Sequence, residues 1–285
     1  MKLIYPTVTV IIIGQHHMLF VLQIAILITI IGALNLPTCS VVGGGRIGQL
    51  LLSSSENNVL VGRNGAMDNL PLGPIYVATR NDALPSVISR CPNDRLCDLV
   101  FLQNGYVQNF MNHFGVGDNT QALLFFAVTK AGAKPIDGVT TVNPEGLTSV
   151  TGKHSADFAG RLSELNLKCN ILDKTSYEKA MYEKLIWISS LMLIGAAKGE
   201  ATVGDAKMNH SELVARLISE MSASVDVNLE EGTLPRLLAY TDVVADFPCA
   251  VKEYEWRNKL FHEKGCELHN SLLDKCVERG VFAFP

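Results

Sequence analysis

Basic residues are scarce at the start of this chain, where Lys2 is the only one before Arg46. That leaves the amino-terminal stretch without the positive region a secretory signal needs. Charge is thin overall, at 18% of residues with a net charge of −4. No basic stripe is present to follow a nucleic acid backbone, and no acidic tail to meet a basic partner. Cysteine lacks a pattern too: the seven residues are odd in number and contain no CxxC pair. A disulfide framework is excluded on that ground, and a reducing compartment such as the cytosol fits better. Cys266, His269 and Cys276 lie near one another in sequence, but no second ligand pair has metal-site spacing, so no metal is expected. The single sequon, Asn209-His210-Ser211, is read as unmodified.

What is present is apolar. Of the 285 residues, 48% are hydrophobic, enough for one large domain or two moderate ones. Residues 18–36 run without a charge, near the length that spans a bilayer. Three readings stay open for residues 1–36: a membrane anchor holding the folded part in the cytosol, a cleaved targeting segment, or an extension foreign to the protein. None contributes to the fold expected from residue 37 onward.

Thr38 to Val42 is a short apolar run of the kind that forms a buried parallel strand. Gly43-Gly44-Gly45-Arg46-Ile47-Gly48 follows at once and matches G-x-G-x-x-G, and Gln49 to Ser53 can open a helix. Each glycine has a physical task. Gly43 permits the tight turn, Gly45 lets the backbone approach a pyrophosphate, and Gly48 lets the helix pack on the strand. The helix start adds free amides and partial positive charge. This order predicts a nicotinamide dinucleotide site. The second strand, Val59 to Arg63, ends on arginine where NAD enzymes usually place a carboxylate. A guanidinium suits a 2′-phosphate, so Arg63 points to NADP(H).

Further strands are expected at 74–79, 99–102, 122–131, 138–143, 147–152 and 169–172, with helices at 83–88 and 155–165. The alternation predicts a doubly wound Rossmann-type α/β domain over residues 37–175. Residues 176–285 read as an all-helical domain, with helices at 177–197, 210–228, 234–244, 252–264 and 268–278. A cleft between such halves is a preferred ligand site. The strand at 99–102 runs into Gln103-Asn104-Gly105, which places Asn104 at a strand's carboxyl end. An ordinary Asn-Gly turn is the competing reading.

Four segments in this order resemble the ketopantoate reductase family. They are VVGGGRIGQ at 41–49, LQNG at 102–105, EKLIW at 183–187 and KEYEWRNK at 252–259. The last looks like the family's Thr-Glu-Ile-Asp-Tyr-Ile-Asn-Gly-type helix. The resemblance covers about residues 38–280 and implies NADPH-dependent reduction of a small 2-oxo acid. It implies that Lys184 is the proton donor and that Asn104 meets cofactor and substrate. It places Glu253 near the cofactor ribose and the substrate hydroxyl, Arg63 and Arg80 near the 2′-phosphate, and Thr241 on the substrate. On its own, Lys184 reads as a lysine snorkelling from a partly buried helix. An apolar surrounding should lower its pKa toward neutrality.

The sequence departs from the family four and eight residues after the lysine. Ile188 and Met192 stand where the family carries asparagines. A site that loses those hydrogen bonds loses discrimination for a polar substrate. Two classes therefore remain: a reductase of a different, less polar 2-oxo acid, or a dinucleotide-binding sensor or interaction protein without catalysis. Apolar helical faces could also support a homodimer.

Overall fold

The computed structural model describes residues 36–285; the apolar segment at 18–36 therefore falls, but for Leu36, outside the described residues. Pro37–Pro285 form one compact unit. Its first part is a seven-stranded sheet in the order β2-β1-β3-β4-β5-β8-β9. The strands are β1 (Ser40–Val42), β2 (Val59–Val61), β3 (Ile75–Val77), β4 (Leu99–Phe101), β5 (Thr120–Leu123), β8 (Ser149–Thr151) and β9 (Asn170–Ile171). The first five are parallel, β8 runs antiparallel to β5, and β9 is parallel to β8. A small hairpin pairs β6 (Phe126–Ala127) with β7 (Ile136–Asp137).

The central strands are buried on both faces, which is why they read as unbroken apolar runs. Alternate residues serve opposite faces. Val41, Tyr76 and Val100 join one core with Leu51 of α1 (Arg46–Leu52) and Phe158 of α4 (Ser155–Glu164). Val42, Ile75, Val77 and Phe101 join another with Leu84 of α2 (Leu84–Arg90) and Met111 of α3 (Gln108–His113). Helices thus cover both faces of the sheet. Each such fully buried side chain contributes roughly 1.5–3 kcal/mol.

The second part is helical: α5 (Lys174–Lys198), α6 (Val203–Asn209), α7 (Ser211–Ser224), α8 (Thr233–Val243), α9 (Tyr254–Arg257), α10 (Lys259–Glu263) and α11 (Glu267–Glu278). Asp173 caps α5 by accepting from the Ser176 amide, and Gly199, at φ 83°, ends it in the left-handed region. Thr202 and Asp205 form a capping box on α6. Helix α5 is long and apolar enough to cross a bilayer, but 83% of its apolar stretch is buried inside the protein, so it is the core helix of this half. Leu123, Phe125 and Ala127 from the edge of the sheet region pack into the same core. The two halves therefore share apolar surface where β5 gives way to β6.

Three expected elements differ. The strand expected at 122–131 stops at Leu123 as β5, and Phe126–Ala127 form β6 in the separate hairpin. Residues 138–143, expected as a strand, leave the sheet. A Cβ at Gly138 would stand 1.9 Å from the Phe125 carbonyl oxygen, so only glycine fits there. Thr140 Oγ1 then accepts from the Asn143 amide at 2.9 Å, closing a turn. Residues 252–264, expected as one helix, are two short ones, Tyr254–Arg257 and Lys259–Glu263, separated at Asn258.

At the amino end of the sheet, Arg161 of α4 is fully buried. Its Nε donates to Asp157 Oδ1 at 2.6 Å, its Nη1 to Asn58 Oδ1 at 3.1 Å, and its Nη2 to the Pro37 carbonyl. Tyr76 donates its hydroxyl to the same Asp157. Removing the guanidinium would leave Asp157 unpaired, and breaking such a pair costs about 3–5 kcal/mol. Arg161→Leu should lower the urea midpoint accordingly, and adding Asp157→Leu should restore most of it, because the uncompensated charge is then gone. A single-variant loss below about 1 kcal/mol would show the network to be worth no more than a surface pair.

Candidate active site

The strand order turns at β1, with β2 on one side and β3 on the other, and ligands of open α/β sheets bind outside the carboxyl ends at such a point. Here that crevice is bounded by the glycine loop after β1 and by Ala78-Thr79-Arg80 after β3. The loop is tight. Gly43 has φ +106°, and a Cβ on it would lie 2.7 Å from the Ala78 carbonyl oxygen. A Cβ on Gly48 would lie 1.8 Å from the Gly43 oxygen, which fixes how closely α1 packs on β1. Gly45 differs: nothing lies within 4 Å of its Cβ position, and no side chain caps α1. Its open side leaves room for a ligand to approach the backbone.

A cavity of about 520 Å³ runs from this loop to the helical half. Arg46, Ile47, Arg80, Asn104, Lys184 and Glu253 all line it. Arg46 also ties the loop to the far side, its Nη1 donating to the Val128 carbonyl at 3.0 Å. The basic side chains on the wall are Arg46, Arg80, Lys184, Lys252 and Arg257, against the one carboxylate of Glu253. In a protein of net charge −4, this local excess of positive charge selects anionic ligands.

Lys184 comes from the middle of α5 and is 6% exposed. Its Nζ donates to the Leu124 carbonyl oxygen at 2.5 Å and lies 5.0 Å from the centre of the Phe125 ring. That carbonyl is free because the chain leaves β5 at Leu123. Burial, with a smaller contribution from the charge of Arg257, pulls the ammonium down to about 7. Ile188 and Met192 follow on the same face of α5 and also line the cavity.

Asn104 is held through its backbone, whose carbonyl accepts from Asn81 Nδ2 at 2.9 Å. Gln103 steadies the same turn, its Nε2 donating to the Val77 carbonyl at 2.9 Å. Glu253 sits at φ 50°, a left-handed conformation that costs a non-glycine residue about 1–3 kcal/mol and is characteristic of functional sites. Its carboxylate pairs with Arg257, one turn on.

Two expected residues stand apart. Arg63 follows β2, beside the glycine loop, exposed and off the cavity wall. Thr241, expected on the substrate, does not reach the cavity. Its fully buried hydroxyl accepts from Trp187 Nε1 at 2.9 Å and donates to the Leu237 carbonyl at 2.8 Å, so it braces α8 against α5. Two further wall residues were not anticipated. Thr79 has a buried hydroxyl without a hydrogen-bond partner among the described residues, and Arg257 reaches the cavity from α9. Arg257 was already visible as an arginine inside KEYEWRNK, where the family motif has isoleucine. Thr79 had no sequence signal.

An open glycine cradle, an unsatisfied Thr79 hydroxyl and a basic wall fit a nicotinamide dinucleotide. The turn that presents Asn104 also touches the helix that presents Glu253. The Tyr106 amide donates to the Trp256 carbonyl at 2.6 Å, and a Cβ on Gly105, at φ +105°, would lie 2.4 Å from that same oxygen. Gly105→Ala should therefore separate the two, lowering Tm by at least about 4 °C and weakening dinucleotide binding together with it. An alanine variant with unchanged melting and binding would contradict this coupling.

No family model matches the sequence, and no curated protein sequence does either. Solved structures do. A ketopantoate reductase from Staphylococcus aureus, described as dimeric, is 17% identical with a TM-score of 0.57, covering 85% of this chain and 100% of its own. The 2-dehydropantoate 2-reductase of Methylococcus capsulatus is 14% identical with a TM-score of 0.61, over 87% of this chain and 98% of its own. A D-mandelate dehydrogenase solved with NADH and anilino(oxo)acetate is 12% identical with a TM-score of 0.61, over 85% and 98%. The described chain has the fold these reductases share: a Rossmann-type sheet followed by a helical part.

Proposed function

We propose that this protein is an NADPH-dependent reductase of a 2-oxo acid, acting in the cytosol. The observation that carries the reading is Lys184, a cation buried at the wall of the cavity with its pKa pulled down to about 7. The resemblance in fold to ketopantoate reductases and to a D-mandelate dehydrogenase agrees with it. So do seven cysteines that are all free thiols, as in a reducing compartment.

The dinucleotide would lie along Gly43 to Gly48, with its pyrophosphate against the open side of Gly45. Arg63 and Arg80 would take the 2′-phosphate, which is the reason to prefer NADPH over NADH. When bound, the reduced nicotinamide supplies a hydride. The chain's own residues handle the oxygen. Lys184 Nζ has three donors and gives one to Leu124. The remaining two can meet a ketone oxygen, stabilise the negative charge that builds there and deliver the proton. Asn104 can hold the substrate through its side-chain amide, which has no protein partner among the described residues. Glu253 can accept from a ribose or substrate hydroxyl while it holds Arg257.

The donor form of Lys184 is the ammonium. It is complete well below pH 7 and is lost as pH rises through about 7. Since kcat/KM reports the free enzyme, kcat/KM for 2-oxo acid reduction should fall on the alkaline side with an apparent pKa near that value. Lys184→Ala should lower kcat by about 10²–10⁴-fold, and Arg63→Ala should weaken NADPH while leaving NADH unchanged. NADPH oxidation with ketopantoate and a panel of 2-oxo acids checks all three. Tight NADPH binding with no Lys184-dependent turnover on any of them would favour a dinucleotide sensor instead.

A further inference from the structure

We propose that Arg257 binds the carboxylate of the substrate, and that the apolar wall formed by Ile188, Met192, Phe247 and Pro248 receives a branched aliphatic or aromatic group on C3. The term substrate rests on the reductase reading; the anion site itself does not.

Arg257 is an under-satisfied, largely but not fully buried cation. Its side chain is 13% exposed and lines the cavity. Of the five N–H donors a guanidinium carries, one donates to Glu253 through Nη2. Nε is buried with no hydrogen-bond partner, and Nη1 donates to no acceptor among the described residues. Leaving such donors unpaired is costly. A planar carboxylate takes two parallel N–H bonds from the outer edge of a guanidinium, here Nη1 and the second hydrogen of Nη2. Burial lowers the pKa of Arg257 even with Glu253 beside it, the sign expected of a cation short of partners.

The pairing with Lys184 narrows the ligand. Arg257 stands near enough for its charge to press on Lys184, and both line one cavity. A 2-oxo acid carries its carboxylate and its ketone oxygen on adjacent carbons. Two neighbouring cations match that pair of oxygens: Arg257 takes the carboxylate and Lys184 the ketone. Glu253 holds the arginine in place from one turn earlier on α9. Ile188 and Met192 offer no hydrogen bond to a hydroxyl on the substrate's side chain, and Phe247 and Pro248 continue the same apolar lining.

The test is calorimetric titration of the full chain, saturated with NADPH, using anilino(oxo)acetate, its carboxamide analogue and oxamate. None of these has a reducible ketone. Wild-type protein should bind the acid about a hundredfold tighter than the carboxamide, which exchanges the charged partner for a neutral one. Arg257→Leu should bring the two within about threefold, and Arg257→Lys should leave an intermediate preference. A preference for the acid that persists in Arg257→Leu, or that is missing from wild type, overturns the assignment. If Arg257→Leu does not fold, the wild-type acid-to-amide ratio and Arg257→Lys carry the test. Oxamate, which lacks the ring, should bind at least about tenfold more weakly than anilino(oxo)acetate, and equal binding overturns the apolar half. Failure of the reductase reading looks different: Arg257-dependent binding of the acid in a protein that oxidises no NADPH with phenylglyoxylate.

Discussion

A lysine ammonium buried at the seam between a sheet and a helical bundle is the constraint that the rest of this structure serves. Helix α5 is apolar on nearly every side, which is why it forms the core of its half and why a charge within it is costly. That cost is met locally. Leu124 offers a carbonyl because the chain has just left β5, and the Phe125 ring lies beneath the ammonium. A cation so poorly solvated is drawn toward neutrality, which is what the proposed proton donor needs.

The same seam explains how distant segments reach one cavity. Asn104 hangs from the end of β4, and Glu253 stands at the start of α9. They are joined by a backbone hydrogen bond from Tyr106 to Trp256 that leaves no room for a side chain at residue 105. Gly105 is therefore both the ordinary turn glycine that Asn-Gly suggests and the contact between the two halves of the site. Its role is packing, and the placement of Asn104 follows from it.

Local physics was legible in the sequence, and distant contacts were not. The strand, glycine loop and helix at 38–53 could be read because each depends on neighbours in the chain. So could the buried central strands, whose two apolar faces leave a continuous signature. The turn at 138–143 resembled a strand because Val139, Thr140, Thr141 and Val142 favour extended backbone. The carbonyl of Phe125 pressing on Gly138 belongs to another part of the chain. Thr241 was implied on the substrate by the family resemblance, but which way its hydroxyl faces is decided by Trp187, fifty-four residues away. Arg257 is in plain view within KEYEWRNK, but its place on the cavity wall is not. Four residues after a glutamate, it reads as a helix-surface ion pair, and only its burial distinguishes it from one.

The most direct measurement is the titration of Lys184 itself in the ligand-free protein, by NMR of labelled lysine side chains assigned with Lys184→Arg. The account predicts a midpoint near 7 for this one lysine. A midpoint for Lys184 close to 10.5 would mean that the ammonium is well solvated, and would contradict both its burial and its role as a donor tuned to neutral pH.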